Sequence, residues 1–269
     1  MDIVRNQLKI LLAAAWFAPV FPASPATHFL PHVYPDGSMV ASKLGSDLYL
    51  TLDPKFQQGL HPNPVMVEKM DAPVITPIAV NDGNKTLGAV SISAGYIGLL
   101  HHLAHAKAID RIQPGYFEQY VLNLARENGS NSLPGLPNII DNRYWTQEVM
   151  NDQFSYFNQM IGMTLALNLS HHYLGDYSKF SSRMLAGKLV PINDFIPPDS
   201  WDAGLKAATL NCLNCAVATA GAKALFEAID KMPSRPPWAA FIVPPATDLK
   251  NLNNQLKKYE DDFFHGRLN

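Results

Sequence analysis

Five of the nine histidines lie in two tight clusters, and imidazole is both a metal ligand and a proton-transfer group. The first cluster is the run His-His-Leu-Ala-His at residues 101–105. On a helix, His101 and His105 project from one face, within reach of a single metal ion, as in the HExxH motif of zinc peptidases. Position 102 is a histidine, where that motif carries the glutamate that acts as general base. The alternative interpretation is a polar, solvated helix face.

The second cluster lies at the polar end of a long apolar segment. His171 and His172 follow Asn168 by three and four residues, and Asp176 comes four residues after His172. Such a group is costly to bury unless its members are paired or ligated. The alternative is a capping role at a helix C-terminus, where the helix dipole favours a protonated histidine.

Two segments resemble zinc gluzincin peptidases, above all the HtpX-like and prenyl-protein-endopeptidase group. Residues 90–100 (VSISAGYIGLL) resemble the strand and helix that precede the active helix of that group. Residues 167–177 (LNLSHHYLGDY) resemble the active helix itself, His-Glu-x-x-His with a Gly-His or Gly-Asp ending. The match places His171 at the second zinc histidine, Leu167 at the first and Asn168 at the catalytic glutamate.

The later helix that supplies the third zinc ligand in that group is similar to residues 211–225, where Asn211 stands nearest to the ligand glutamate. The resemblance therefore implies a gluzincin-like fold with a degenerate site. An asparagine at position 168 cannot take a proton from zinc-bound water, so the standard mechanism cannot run on these residues.

Three hypotheses follow. The first is an exported, peptidase-like protein with a degenerate or non-catalytic site, which acts by binding a peptide or protein. The second is a working zinc-dependent hydrolase with redrawn ligands. The candidate ligands of that redrawn site are His101, His105, His171, His172 and Asp176. The third is an exported helical binding or structural protein without a metal, whose histidines are surface and cap residues.

Residues 1–26 are typical of a secretory signal peptide. Arg5 and Lys9 precede an apolar stretch at residues 10–21, which is too short to span a bilayer. Small residues near Ala26 predict cleavage there, and hence a secreted or periplasmic protein. The remaining chain is predicted to form a single exported domain, residues 27–269.

The composition narrows the class of protein further. With 21 basic and 23 acidic residues the net charge is −2, which argues against a nucleic-acid partner. Hydrophobic residues make up 47% of the chain, so charge-driven disorder is excluded. After the N-terminal stretch no long apolar segment follows, so we expect no stable membrane span in the mature chain.

The hydropathy pattern predicts an α+β protein, predominantly α, in which a small β-hairpin or sheet packs on a bundle of helices. A loop over residues 27–47 precedes the first of three predicted strands, at residues 47–52, 74–80 and 87–93. The turn Asn81-Asp82-Gly83-Asn84 joins the last two strands into a hairpin, and Pro77 places its strand at an edge or bulge. The predicted helices cover residues 95–109, 115–127, 144–174, 177–186, 199–232 and 248–263. The stretch from 233 to 245 is expected to be extended.

The two cysteines form a CxxC motif, Cys212 and Cys215. In an oxidising compartment this motif could be a redox pair or a local disulfide. A redox pair of the thioredoxin type follows a strand, whereas both flanks here have a helical pattern. A buried pair of thiols on a helix is the favoured interpretation.

Overall fold

The described part of the chain runs from two helices into a small sheet and then through a series of helices. A computed structural model describes residues 36–126, 133–181 and 190–267. The strands are β1 (Leu60–Glu68), β2 (Ile75–Asp82) and β3 (Lys85–Ser93). The helices are α1 (Gly37–Leu50), α2 (Pro54–Gln57), α3 (Ala94–Asp110), α4 (Tyr116–Arg126), α5 (Gln147–Tyr173), α6 (Asp176–Phe180), α7 (Pro198–Asn214), α8 (Ala220–Asp230) and α9 (Leu249–Phe264).

The sheet has the strand order β1-β3-β2, with β3 parallel to β1 and antiparallel to β2. Asp82 pairs with Lys85, so the predicted turn between the last two strands is confirmed. Gly83 begins the two-residue loop with φ +57°, a value that side chains disfavour. Pro77 lies on an edge strand, as predicted, because an edge tolerates the missing N–H.

The junction of β3 and α3 is fixed by a serine and a glycine. Ser93 caps α3, its Oγ accepting from the N–H of Tyr96 at 3.0 Å, and it also accepts from the N–H of Val74 at 2.9 Å. A Cβ at Gly95 would lie 1.8 Å from the carbonyl oxygen of Asp71. Only glycine therefore fits where the helix leaves the sheet.

Helix α5 is the centre of the core. Its residues from Met160 to His171 are all buried, and it packs against α3, α7, α8, α1 and the sheet. Gly175, with φ +82°, ends the segment in the left-handed conformation, which confirms the predicted terminator. The polar cluster at its end therefore follows directly on an unbroken run of buried helical residues.

The strand predicted at residues 47–52 is wrong. The loop predicted over residues 27–47 is also wrong for the residues from 36 onward, which the structure describes. Residues 37–50 form α1, whose buried residues Ala41, Gly45 and Leu48 follow one another at steps of four and three. The strand was predicted because leucines occupy every second position from Leu48 to Leu52, a spacing typical of a strand. Residues 27–35 lie outside the described residues.

Strand β1 was not predicted. It contains Pro62 and Pro64, which are typical of loops and tolerated in an edge strand. Its pairing with β3 is parallel, so the two strands are not joined by a hairpin turn that could be recognised in the sequence.

The helical region predicted over residues 199–232 is two helices, α7 and α8. The break follows Cys215, where Ala216 adopts φ +59°. The stretch predicted as extended contains a 3-10 turn at Pro237–Phe241. Of the helix predicted at 177–186, α6 accounts for the first part, and residues 182–189 lie outside the described residues.

The predicted class, α+β and predominantly α with a small sheet against helices, is confirmed. Among the described residues, no helix is long and apolar enough to cross a membrane.

Candidate functional site

The first histidine cluster lies on α3, as predicted, but its shared face points into the core. His101 is 5% exposed and its ring stacks on Phe157, with 3.5 Å between ring centroids. The side-chain amide of Gln153 donates to His101 Nδ1 at 2.9 Å. Burial lowers the pKa of His101 well below its ordinary value of 6.5, and the neighbouring histidines lower it further. The ring is a neutral packing group at pH 7.

His105 is enclosed on the same face of α3. It is 0% exposed, its Nε2 donates to the carbonyl oxygen of Tyr144 at 2.8 Å, and its ring meets Trp145 edge to face. Burial lowers its pKa to about 4, although the bond to the carbonyl acts in the opposite direction. The alternative of a solvated polar face is therefore wrong for these two residues, because α5 and the 3-10 turn that precedes it, Asn142–Trp145, cover them. His102, between them, faces Tyr120, whose hydroxyl lies 3.1 Å from its Nδ1.

The second cluster divides between two environments. His171 is buried, and its Nδ1 donates to Asp176 Oδ2 at 3.3 Å, a carboxylate that is itself buried at the first residue of α6. A Cβ at Gly204 of α7 would lie 3.3 Å from His171 Cε1. Helix α7 therefore packs directly on the ring, and the pair joins the end of α5 to the start of α6.

His172 points the other way, onto the sheet. Its Nε2 donates to the carbonyl oxygen of Ala89 in β3 at 2.8 Å, and a Cβ at Gly88 would lie 2.6 Å from its Nδ1. Its ring lies 4.6 Å from that of Tyr177. Burial lowers the pKa of His172 to about 4, partly opposed by the bond to Ala89.

The two asparagines that stand at the positions of peptidase carboxylates are also used within the protein. Asn168 is 3% exposed, and its amide donates to the carbonyl oxygen of Thr164, one turn earlier in α5. Asn211 accepts from the hydroxyl of Thr51 at 2.9 Å, which ties α7 to the end of α1. Both side chains are only 3% exposed, so neither presents its amide to solvent.

The five predicted ligands do not assemble into one centre. Among the described residues, no three His, Cys, Asp or Glu side chains are grouped so that they could hold a metal ion. His101 and His105 lie under α5 and its preceding turn, His171 pairs with Asp176, and His172 is bonded to the sheet. The residues therefore do not fit a zinc centre as they stand.

Gln153 and Tyr144, the partners of the first cluster, were not found from the sequence. They lie 52 and 39 residues from the histidines they contact. The clustered histidines are visible in the sequence, whereas the packing that occupies them is not.

Both cysteines are free thiols at the end of α7. Cys212 is buried, and burial raises its pKa; burial also raises the pKa of Cys215 to about 11. Helix α7 leads directly into the motif, and Cys212 is buried on it as predicted, whereas Cys215 is only partly buried at the C-cap, so the predicted buried pair holds for Cys212 alone.

Comparison with protein families, curated proteins and solved structures found no match to this chain. The site must therefore be interpreted from its own geometry.

Proposed function

We propose that this chain is an exported, peptidase-like protein that works by binding a peptide or protein, without metal-dependent hydrolysis. The observation that supports the proposal is that the candidate metal ligands already bond to, or pack against, other groups of the protein. Each proposed histidine ligand bonds or packs against the protein itself, and Asn168, at the position of the general base, bonds its own helix.

A zinc hydrolase needs three ligands around an open position and a base that can reach the bound water. Assembling them here would require His171 to leave Asp176 and Gly204, or His101 to leave Gln153 and Phe157. Each departure would leave a buried polar partner without its bond, which costs about 1–3 kcal/mol. This cost favours the existing hydrogen bonds of the histidines over a zinc-ligating arrangement.

The peptidase likeness is part of the same proposal. It is supported by the order of elements that the resemblance implies, since β3 runs through the Ser93–Gly95 junction into α3, and a long buried helix follows later in the chain. Export is proposed from residues 1–26, which lie outside the described residues. Intact-mass analysis of the secreted protein tests it, because a mature chain that begins at Thr27 is expected.

The decisive experiment measures zinc content and peptide chemistry in one preparation. The chain is purified without a metal-affinity tag, its zinc is measured by inductively coupled plasma mass spectrometry, and fluorescein-labelled casein is the probe. We expect well below one equivalent of zinc, and casein that raises fluorescence polarisation on binding but stays intact.

About one equivalent of zinc, with chelator-sensitive cleavage of casein, would contradict the proposal and support the redrawn zinc hydrolase. Loss of that zinc in the double variant His171→Gln/His172→Gln would then locate the metal. Neither binding nor cleavage of casein would contradict the peptide-binding part alone.

A further inference from the structure

An open depression of about 270 Å³ lies between the sheet and α6, with His172 in its lining. Its lining residues come from all three strand regions and from the α5–α6 corner. They are Gly59, Ala79, Thr86, Leu87, Gly88, His172, Tyr177, Ser178 and Ser181. The volume is just below the range of about 300–1,000 Å³ typical of pockets for drug-sized ligands, so a smaller molecule would fit.

The floor of the depression consists of small residues that follow one another across the sheet. Gly88 of β3 pairs with Ala79 of β2, and its N–H donates to the carbonyl oxygen of Gly59 at 2.8 Å. The ring of His172 covers Gly88, where an added Cβ would lie 2.5 Å from the ring, whereas an added Cβ at Gly59 would meet nothing within 4 Å and Ala79 is exposed. A larger residue at Gly59 or Ala79 would therefore fill the space beside the ring.

The wall of the depression presents the imidazole of His172 and the hydroxyl groups of Thr86, Tyr177, Ser178 and Ser181. His172 donates its Nε2 proton to Ala89, which leaves the lone pair of Nδ1 on the side of Gly88. The hydroxyl of Thr86 donates to Asn81 at 3.0 Å, so its oxygen is left as an acceptor.

The hydroxyl of Ser178, like that of Thr86, already donates its hydrogen within the protein. It donates to the carbonyl oxygen of Gly175 at 2.8 Å, so its oxygen is left as an acceptor. The ring of Tyr177 adds a flat apolar surface beside that of His172. Apart from the imidazole, the described residues of the lining include no acidic or basic side chain.

We propose that this depression binds a small, uncharged ligand rich in hydroxyl donors, with the size and chemistry of a monosaccharide or polyol. The oxygens of Thr86 and Ser178, whose hydrogens are used within the protein, accept from O–H donors, and the hydroxyls of Tyr177 and Ser181 can donate as well as accept. A hydroxyl-bearing ligand can satisfy both kinds of group, whereas a ligand without O–H donors leaves the Thr86 and Ser178 oxygens unsatisfied. A cation would find no carboxylate among these residues, and an anion would find no lysine or arginine. A sugar ring would place its C–H face on Tyr177 and its hydroxyls toward His172, Thr86 and Ser178.

The test uses glucose and mannitol at millimolar concentration, with saturation-transfer-difference NMR as the readout. Permethylated glucose is the matched control probe, because it keeps the ring and loses every O–H donor. Saturation transfer to glucose or mannitol, with none to permethylated glucose, is the expected result. Saturation transfer to permethylated glucose equal to that to glucose would overturn the proposal. Absence of transfer to both glucose and mannitol would also overturn it.

Two variants locate the site. Ala79→Leu places a bulky side chain on the exposed floor and is expected to abolish transfer. Ser178→Ala removes one acceptor and is expected to weaken affinity about three- to tenfold. Ser46→Ala is the control, since Ser46 also donates to its own helix but does not line the depression.

Transfer that persists in folded Ala79→Leu, as judged by circular dichroism, would also overturn the proposal. The outcome does not depend on zinc content or on casein, so a failure here is distinguishable from a failure of the proposed function.

Discussion

The buried histidines predict a steep loss of stability in mild acid. In the native protein, burial lowers the pKa of His105 and of His172 from 6.5 to about 4, and that of His101 also falls well below 6.5. In the unfolded chain these side chains titrate near their ordinary value of about 6.5. As the pH falls below that value the unfolded chain binds protons that the native protein does not, so the free energy of unfolding decreases.

The magnitude follows from the size of the pKa change. At about 1.4 kcal/mol per pKa unit, a fall from 6.5 to about 4 corresponds to about 3 kcal/mol for each of His105 and His172. Both together amount to about 6 kcal/mol, comparable to the roughly 5–15 kcal/mol total stability of a typical domain. Stability present above pH 6.5 is therefore expected to be lost progressively as the pH falls toward about 4.

Urea unfolding followed by circular dichroism at a series of pH values between neutral and about 4.5 measures this loss. His172→Gln keeps an N–H donor for Ala89 but does not titrate, so it should reduce the pH slope by about 1.4 kcal/mol per pH unit. His265→Gln, at an exposed histidine, is the matched control and should leave the slope unchanged. A free energy of unfolding that stays constant within about 1 kcal/mol from neutral pH to about pH 5 would refute the buried, neutral assignment.

Three further predictions concern the junctions around the core. Gly95→Ala should destabilise the chain by about 3 kcal/mol or more in urea unfolding, because its Cβ would meet the carbonyl of Asp71, whereas Gly98→Ala in the same helix meets only Leu133 at 3.5 Å and should be tolerated. Equal stability of the two variants would argue against the close approach. Ser93→Ala should cost about 1–2 kcal/mol through loss of the N-cap, and an unchanged urea midpoint would count against that role. Iodoacetamide should alkylate Cys215 at pH 8 about 100-fold more slowly than an exposed thiol, since its pKa is raised to about 11, and a rate equal to that of the unfolded chain would contradict its burial.

Local patterns were enough to predict much of the helical scaffold. The hairpin of β2 and β3 follows from a turn at Gly83 and two β-branched runs, and α5 follows from apolar residues at helical spacing with Gly175 at its end. Strand β1 could not be predicted because it pairs in parallel with a strand more than twenty residues away and contains two prolines. The prediction for residues 47–52 failed because Leu48, Leu50 and Leu52 alternate as in a strand, although Leu50 is 70% exposed in the structure and does not belong to a buried face.

The candidate site shows the same division. The shared face of His101 and His105 follows from helix geometry, and the structure confirms it. That this face is buried depends on α5, whose contacts with α3 join residues about fifty positions apart. The separation of His171 from His172, one toward α7 and one toward the sheet, likewise depends on tertiary packing at Gly204 and Gly88. Residue type shows which side chains could bind a metal. Only the tertiary packing shows that these side chains already bond to other groups of the protein.

The effect of zinc on stability tests most directly whether these side chains hold the fold or a metal. Urea unfolding is measured with excess zinc and with a chelator on the same preparation. If the histidines serve only the fold, the two free energies of unfolding agree within about 0.5 kcal/mol, since a ligand stabilises only the state that binds it. A stabilisation of about 2.7 kcal/mol, expected when zinc is present at a hundred times its dissociation constant, would contradict the account if His171→Gln abolished it.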